Sequence, residues 1–145
     1  MMKILILLFM VIFASCEEYF DQDKEDCVKD LKLNREEIVK LDKLDLPPDD
    51  NDGFNKFVIC HSKKTGLMSE TGEILFQNLK NLLLRLVESK GLSKVQKYFY
   101  ENLISNLMDA CKLVPTDSNP GKNMIYVHRC LYNEMAEVKK SLTII

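Results

Sequence analysis

The chain has 145 residues, 46% of them hydrophobic, with 20 basic against 22 acidic side chains for a formal charge of −2. That length makes one domain with a real core, and a slightly acidic balance offers no basic surface to a nucleic acid. Two histidines, with no Gly-x-Ser-x-Gly, phosphate loop or Cys-x-x-Cys, argue against hydrolase, nucleotide and zinc-ribbon chemistry, so no enzyme, cofactor or metal is expected.

The N-terminus reads as a leader. Met1-Met2-Lys3 supplies one positive charge, Ile4 to Phe13 is an unbroken apolar run, and Ala14-Ser15-Cys16 ends it with small residues. This is the order of a secretory signal peptide, too short to span a bilayer comfortably, with cleavage expected after Cys16 or one to two residues earlier. A rival reading takes Phe13 to Cys16 as a bacterial lipobox, with Cys16 lipidated and kept. Taking 16 residues from 145 leaves 129, a secreted domain over 17–145 with 19 basic and 22 acidic residues and a charge of −3. Four cysteines remain, Cys27, Cys60, Cys111 and Cys130, an even count that reads as a disulfide framework with three connectivities open. No second apolar span follows, so the mature chain is expected to be soluble and extracellular.

Beyond the leader the apolar period is helical throughout. Phe20, Cys27, Val28 and Leu31 fall at helical spacing in an acidic first segment. Asn34-Arg35-Glu36-Glu37 carries a capping-box signature and opens a short helix with Ile38, Leu41 and Leu44. Pro47 to Gly53 breaks the chain, and its acidic run Asp49-Asp50-Asn51-Asp52 reads as solvated loop. A third helix holds Phe54, Phe57, Val58 and His61 and stops at Thr65-Gly66.

The span Ile74 to Glu88 is so apolar that its helix is expected at the centre, buried on most sides, with Lys90-Gly91 ending it. Ser93 precedes a helix in which Val95, Phe99, Leu103 and Leu107 recur every four residues and Cys111 continues the face. After the loop Pro115 to Gly121, Met124, Val127, Leu131, Met135, Val138 and Leu142 share one side of the last helix. The expected fold is therefore all-α, a compact bundle of about six short helices with two disulfides.

This layout resembles the insect odorant-binding protein family, which contains the pheromone-binding and general odorant-binding proteins. Members are secreted, all-helical and carry six cysteines. Cys27 matches the first, Cys60 the third, Cys111 the fourth and Cys130 the sixth. The second and fifth would fall at Lys56 and Gly121. Those two pair with each other in the family, so both halves of one bridge are missing together, as in the Minus-C subgroup. The run Lys64-Thr65-Gly66-Leu67-Met68-Ser69-Glu70-Thr71-Gly72 after Cys60 is also similar. The likeness covers roughly residues 18 to 135, and departs from most members in the 50 residues between Cys60 and Cys111. It implies bridges Cys27–Cys60 and Cys111–Cys130, a looser region around Lys56 and Gly121, and an apolar cavity.

The function so implied is non-catalytic carriage of a small apolar or semi-polar ligand such as an odorant or pheromone, delivered by diffusion, with a chemosensory receptor as a further partner. A carrier needs apolar walls with a few polar groups to orient its ligand. Candidate lining residues are Phe57, Leu67, Met68, Phe76, Leu79, Leu83, Phe99, Leu103, Met124, Val127 and Leu131, each of which could equally be core filler. Met68, Met108, Met124 and Met135 add adaptable side chains. His61 and His128 are read as structural or surface histidines, with a pH-sensitive role at the ligand as the alternative. Tyr126 and Tyr132 either donate to a ligand or keep their hydroxyls in water. The apolar tail Leu142-Thr143-Ile144-Ile145 is either a lid over the cavity or a frayed end. The competing function is a secreted signalling or venom-like protein that acts through its surface and has a filled core.

Overall fold

A computed structural model describes residues 20–143; the expected leader lies outside this range, as does the Ile144-Ile145 end of the tail. Six helices follow in order: α1 (Gln22–Asp30), α2 (Arg35–Asp42), α3 (Asp52–Lys64), α4 (Phe76–Glu88), α5 (Lys94–Cys111) and α6 (Pro120–Thr143). Among the described residues there is no β-sheet, only an isolated bridge between Met68 and Ile74 that holds the turn before α4.

Local chemistry sets the helix ends. Asp21, Asn34 and Asn51 each accept a backbone N–H three residues on, satisfying donors the first turn leaves free. Only half of the box expected at Asn34 forms, because Glu37 turns away and accepts from the Asn51 side chain at 2.9 Å. Ser93 and Gln96 make the full reciprocal box that opens α5. The motif after Cys60 is the stop of α3. Leu67 N–H donates to Ser62 O and Gly66 N–H to Lys63 O, the two bonds of a Schellman cap. That cap needs a left-handed residue, and Gly66 supplies it at φ 71°.

Both bridges are those the resemblance implies: Cys27–Cys60 joins α1 to α3 and Cys111–Cys130 joins α5 to α6, with Cα separations of 5.9 and 5.7 Å. The core divides in two. One cluster gathers Cys27, Val28, Ile38, Phe54, Phe57 and Ile125 from α1, α2, α3 and α6. In it Phe57 is sandwiched between Phe20 and Phe54 at ring separations of 5.7 and 5.8 Å. The other gathers Leu79 and Val87 of α4, Tyr100, Ile104 and Met108 of α5, and Val127 of α6.

The central helix is thus α6, not the Ile74–Glu88 segment. Ile125 faces one cluster and Val127 the other, whereas α4 buries only Leu79 and Val87 and packs chiefly on α5. The leucine-rich sequence of α4 has more apolar faces than neighbours to cover them, so Leu82, Leu83, Leu84 and Leu86 stay half-buried. The four-residue repeat in α5 is also corrected. A step of four overshoots the helical turn by about 40°, so a stripe kept at that step drifts around the helix. Val95 and Phe99 end on the outside, 80% and 41% exposed, while Tyr100, Ile104, Leu107, Met108 and Cys111 face inward.

Where the third bridge of the family would sit, α3 and α6 are in close backbone contact. Gly121 is buried, and a Cβ placed on it would lie 2.5 Å from the Asn55 carbonyl oxygen. Lys56 points outward and pairs with Asp52 at 2.7 Å.

Candidate ligand site

The α4–α5–α6 cluster is the more extensive of the two apolar clusters. Leu79, Val87, Ile104, Met108 and Val127 supply its buried apolar surface, and Leu67, Phe76, Leu83, Leu103 and Leu131 pack against it while remaining partly exposed. Most of the predicted lining residues therefore converge here. Phe57 does not, belonging to the opposite cluster. Phe99 stands at the surface with its ring edge-on to Tyr100. Met68, in the turn that precedes α4, is buried, and Met124 is half-buried; neither is part of the two clusters.

One polar group lies within this apolar set. Tyr100 is 2% exposed and its hydroxyl is buried with no hydrogen-bond partner. Burying such a group unsatisfied costs about 1–3 kcal/mol. Desolvation also raises its pKa, so the phenol stays neutral. The sequence reading passed over Tyr100 because it lies between the residues of the four-step repeat; a 3.6-residue period through Ile104, Leu107 and Cys111 points to it.

The two tyrosines expected either to donate to a ligand or to keep their hydroxyls in water bond to carboxylates of the protein instead. Tyr126 donates to Asp49 Oδ2 at 2.9 Å, and Tyr132 donates to Asp45 Oδ2 at 3.1 Å. Arg129 donates to Pro47 O through Nε and Nη2, at 3.1 and 2.6 Å, and to Asp49 Oδ1 at 3.0 Å. His128 Nε2 lies 3.0 Å from Asp45 O. One face of α6 thereby latches the loop before α3, and Asn55 Nδ2 adds a bond to Asp49 O from α3. Asp49 is not free solvated loop: the Tyr126 hydroxyl, then the Arg129 guanidinium, hold its pKa below the ordinary carboxylate value. Replacing Arg129 by alanine removes three of these bonds. The expected result is at least about tenfold faster amide exchange over residues 43–50, with helices α4 and α5 unchanged, read by hydrogen-exchange mass spectrometry.

Behind this latch an open cleft of about 470 Å³ lies between Val114–Asp117 and the α6 residues Tyr126, Arg129, Cys130 and Asn133. None of the predicted lining residues borders it.

His61 is a half-buried histidine of the α1–α3 interface, outside the α4–α5–α6 cluster. Its ring stacks on Phe57 at 6.0 Å, and its Nε2 is 3.9 Å from Asp21, too far for a hydrogen bond. Burial, with Lys24 nearby, lowers its pKa against the opposing pull of Asp21, Asp42 and Asp23. The unfolded chain then binds the proton more readily than the folded one, so stability is full above about pH 6.5 and falls as pH drops below it. Urea unfolding at pH 7.5 and 5.0 should show this loss, and His61→Asn should flatten it.

The protein's helices, stapled by two disulfides around two apolar clusters, make it a small all-α domain. The chain belongs to the PBP/GOBP family, the insect odorant- and pheromone-binding proteins, whose family model matches residues 13–134. That is a family of carriers of small hydrophobic ligands, and the two bridges fit its Minus-C form. No curated protein and no solved structure matches the chain. Among the described residues no helix is long and apolar enough to cross a membrane, and no cluster of side chains could hold a metal ion.

Proposed function

We propose that this chain is a secreted carrier that binds and transports a small hydrophobic molecule, such as an odorant or pheromone, without catalysis. Family membership supplies the class. The observation that carries the reading to particular residues is the α4–α5–α6 cluster, whose rim of Leu67, Phe76, Leu83, Leu103 and Leu131 keeps apolar surface open beside a buried core. Half-exposed leucines of this kind cost hydration free energy that a ligand would recover, about 25 cal/mol per Å² covered. Secretion rests on the leader over residues 1–16 together with two disulfides of the kind that persist in oxidising compartments. Delivery to a chemosensory receptor would follow from release at low ligand concentration.

The test is uptake of N-phenyl-1-naphthylamine by the oxidised chain from residue 17, followed by displacement with alcohols, aldehydes, esters and fatty acids. Micromolar displacement by a chemically coherent subset supports the carrier. Folded, correctly bridged protein that takes up neither probe nor ligand would instead indicate a protein acting through its surface.

A further inference from the structure

The unpartnered phenol of Tyr100 says what sort of ligand the site takes. Its ring is held by Leu79, Val87, Ile104, Met108 and Val127, and no group of the protein accepts or donates at its hydroxyl. Phenylalanine would fill the same volume without the desolvation of a hydroxyl, so the oxygen contributes nothing to packing. Burial alone shifts the phenol's pKa, with no neighbouring charge contributing, and Lys112 approaches this set at the Phe76 ring, its ammonium 6.0 Å from the ring centre. A carboxylate brought to the Tyr100 hydroxyl would give up its hydration for a single neutral donor, whereas a neutral oxygen acceptor gives up far less and meets the same donor.

Insertion has an available side. Leu83 and Leu84 of α4 and Leu103 of α5 cover the cluster only in part, and α4 packs chiefly on α5. Movement of α4 therefore breaks less packing than movement of α6, which is bridged to α5 and pressed against α3.

From this we infer that Tyr100 is the polar anchor of the ligand site and that the ligand is a neutral hydrocarbon-chain compound bearing a carbonyl oxygen, a ketone, aldehyde or ester, which accepts the phenol O–H. The inference rests on the carrier reading. It separates carbonyl compounds from hydrocarbons of the same length, which would fill the site and leave the hydroxyl orphaned, and from fatty-acid anions, which the site would reject.

The experiment compares 2-undecanone, undecane and undecanoate as displacers of N-phenyl-1-naphthylamine, in the oxidised native chain and in Tyr100→Phe. In the native protein the ketone should bind about tenfold tighter than the alkane, the scale of one buried hydrogen bond, and undecanoate should bind weakest. In Tyr100→Phe the ketone preference should shrink to about twofold or less, with alkane affinity retained and the melting temperature equal or higher. On native protein alone, the infrared stretch of carbonyl-labelled 2-undecanone should fall to a lower frequency than in hexane, as an accepted hydrogen bond requires. Equal binding of ketone and alkane, tightest binding of undecanoate, an unshifted carbonyl stretch, or a ketone preference that survives in Tyr100→Phe would each overturn the anchor while leaving the carrier intact. Failure of the probe and all three compounds to bind folded protein would overturn the carrier, and the anchor with it.

Discussion

Replacing Cys27 and Cys60 together by alanine is expected to destabilise the protein by about 3–4 kcal/mol, the loop-entropy value for a closed loop of this length. The bridge spans a sequence separation of 33, longer than the 19 of Cys111–Cys130, so it should be the more costly of the two to lose. Its sulfur atoms also pack: Cys27 is 0% exposed and lies with Val28, Ile38 and Phe57. Against a total stability on the order of 5–15 kcal/mol, the loss removes a large fraction and lowers the melting temperature by about 10–15 °C. Urea unfolding of the double variant measures it directly. A change under about 1 kcal/mol would mean that α1 is held by its packing and by ion pairs such as Lys24–Asp42, 2.7 Å apart, and not by the cross-link.

Gly121→Ala is the second large effect, and its sign runs against helix propensity. In an exposed helix interior, alanine for glycine gains about 1 kcal/mol. Here the new Cβ would sit 2.5 Å from Asn55 O and 3.0 Å from Asn55 C and Cα, all backbone atoms that no rotamer change can move aside. α3 and α6 would have to separate by about half an ångström or more, disturbing the packing of Phe54, Phe57 and Ile125 between them. Overpacking of this kind costs about 1–3 kcal/mol, so net destabilisation of about 2 kcal/mol is expected on thermal or urea unfolding. A stabilised variant would show that α6 can slide along α3 without loss. The position has a further interest. By the resemblance a family cysteine would fall here, paired with one at Lys56; in this chain a glycine lets the two helices touch.

The parts of the fold that follow from near neighbours in sequence were legible before any coordinates. Capping residues announce helix starts because their side chains bond N–H groups only three residues away, as Asn34 and Ser93 do. The glycine that ends α3 is legible for the same reason, since a Schellman cap is made within six residues. Four cysteines at the family's spacing carried the two bridges, but only through the resemblance; the residues alone left three pairings open.

What failed in the reading failed at long range. The four-residue repeat of Val95, Phe99, Leu103 and Leu107 looked like a stripe, but which arc of α5 is covered depends on where α4 and α6 lie. The apolar wealth of α4 suggested a central place, yet centrality is a matter of how many neighbours a helix has. Tyr126 and Tyr132 were read beside a ligand or water because nothing in the sequence joins them to carboxylates 77 and 87 residues away.

By itself, then, the sequence determined six helices, the caps at Asn34, Gly66 and Ser93, the number of cysteines available for cross-linking and the family, because each is written in residue type and short spacing. Only the tertiary structure decided that α6 is the spine, that Gly121 packs against the Asn55 backbone, and that one tyrosine hydroxyl is stranded in an apolar cluster. Those depend on which faces meet across the chain, and meeting is a property of packed surfaces that no local pattern encodes.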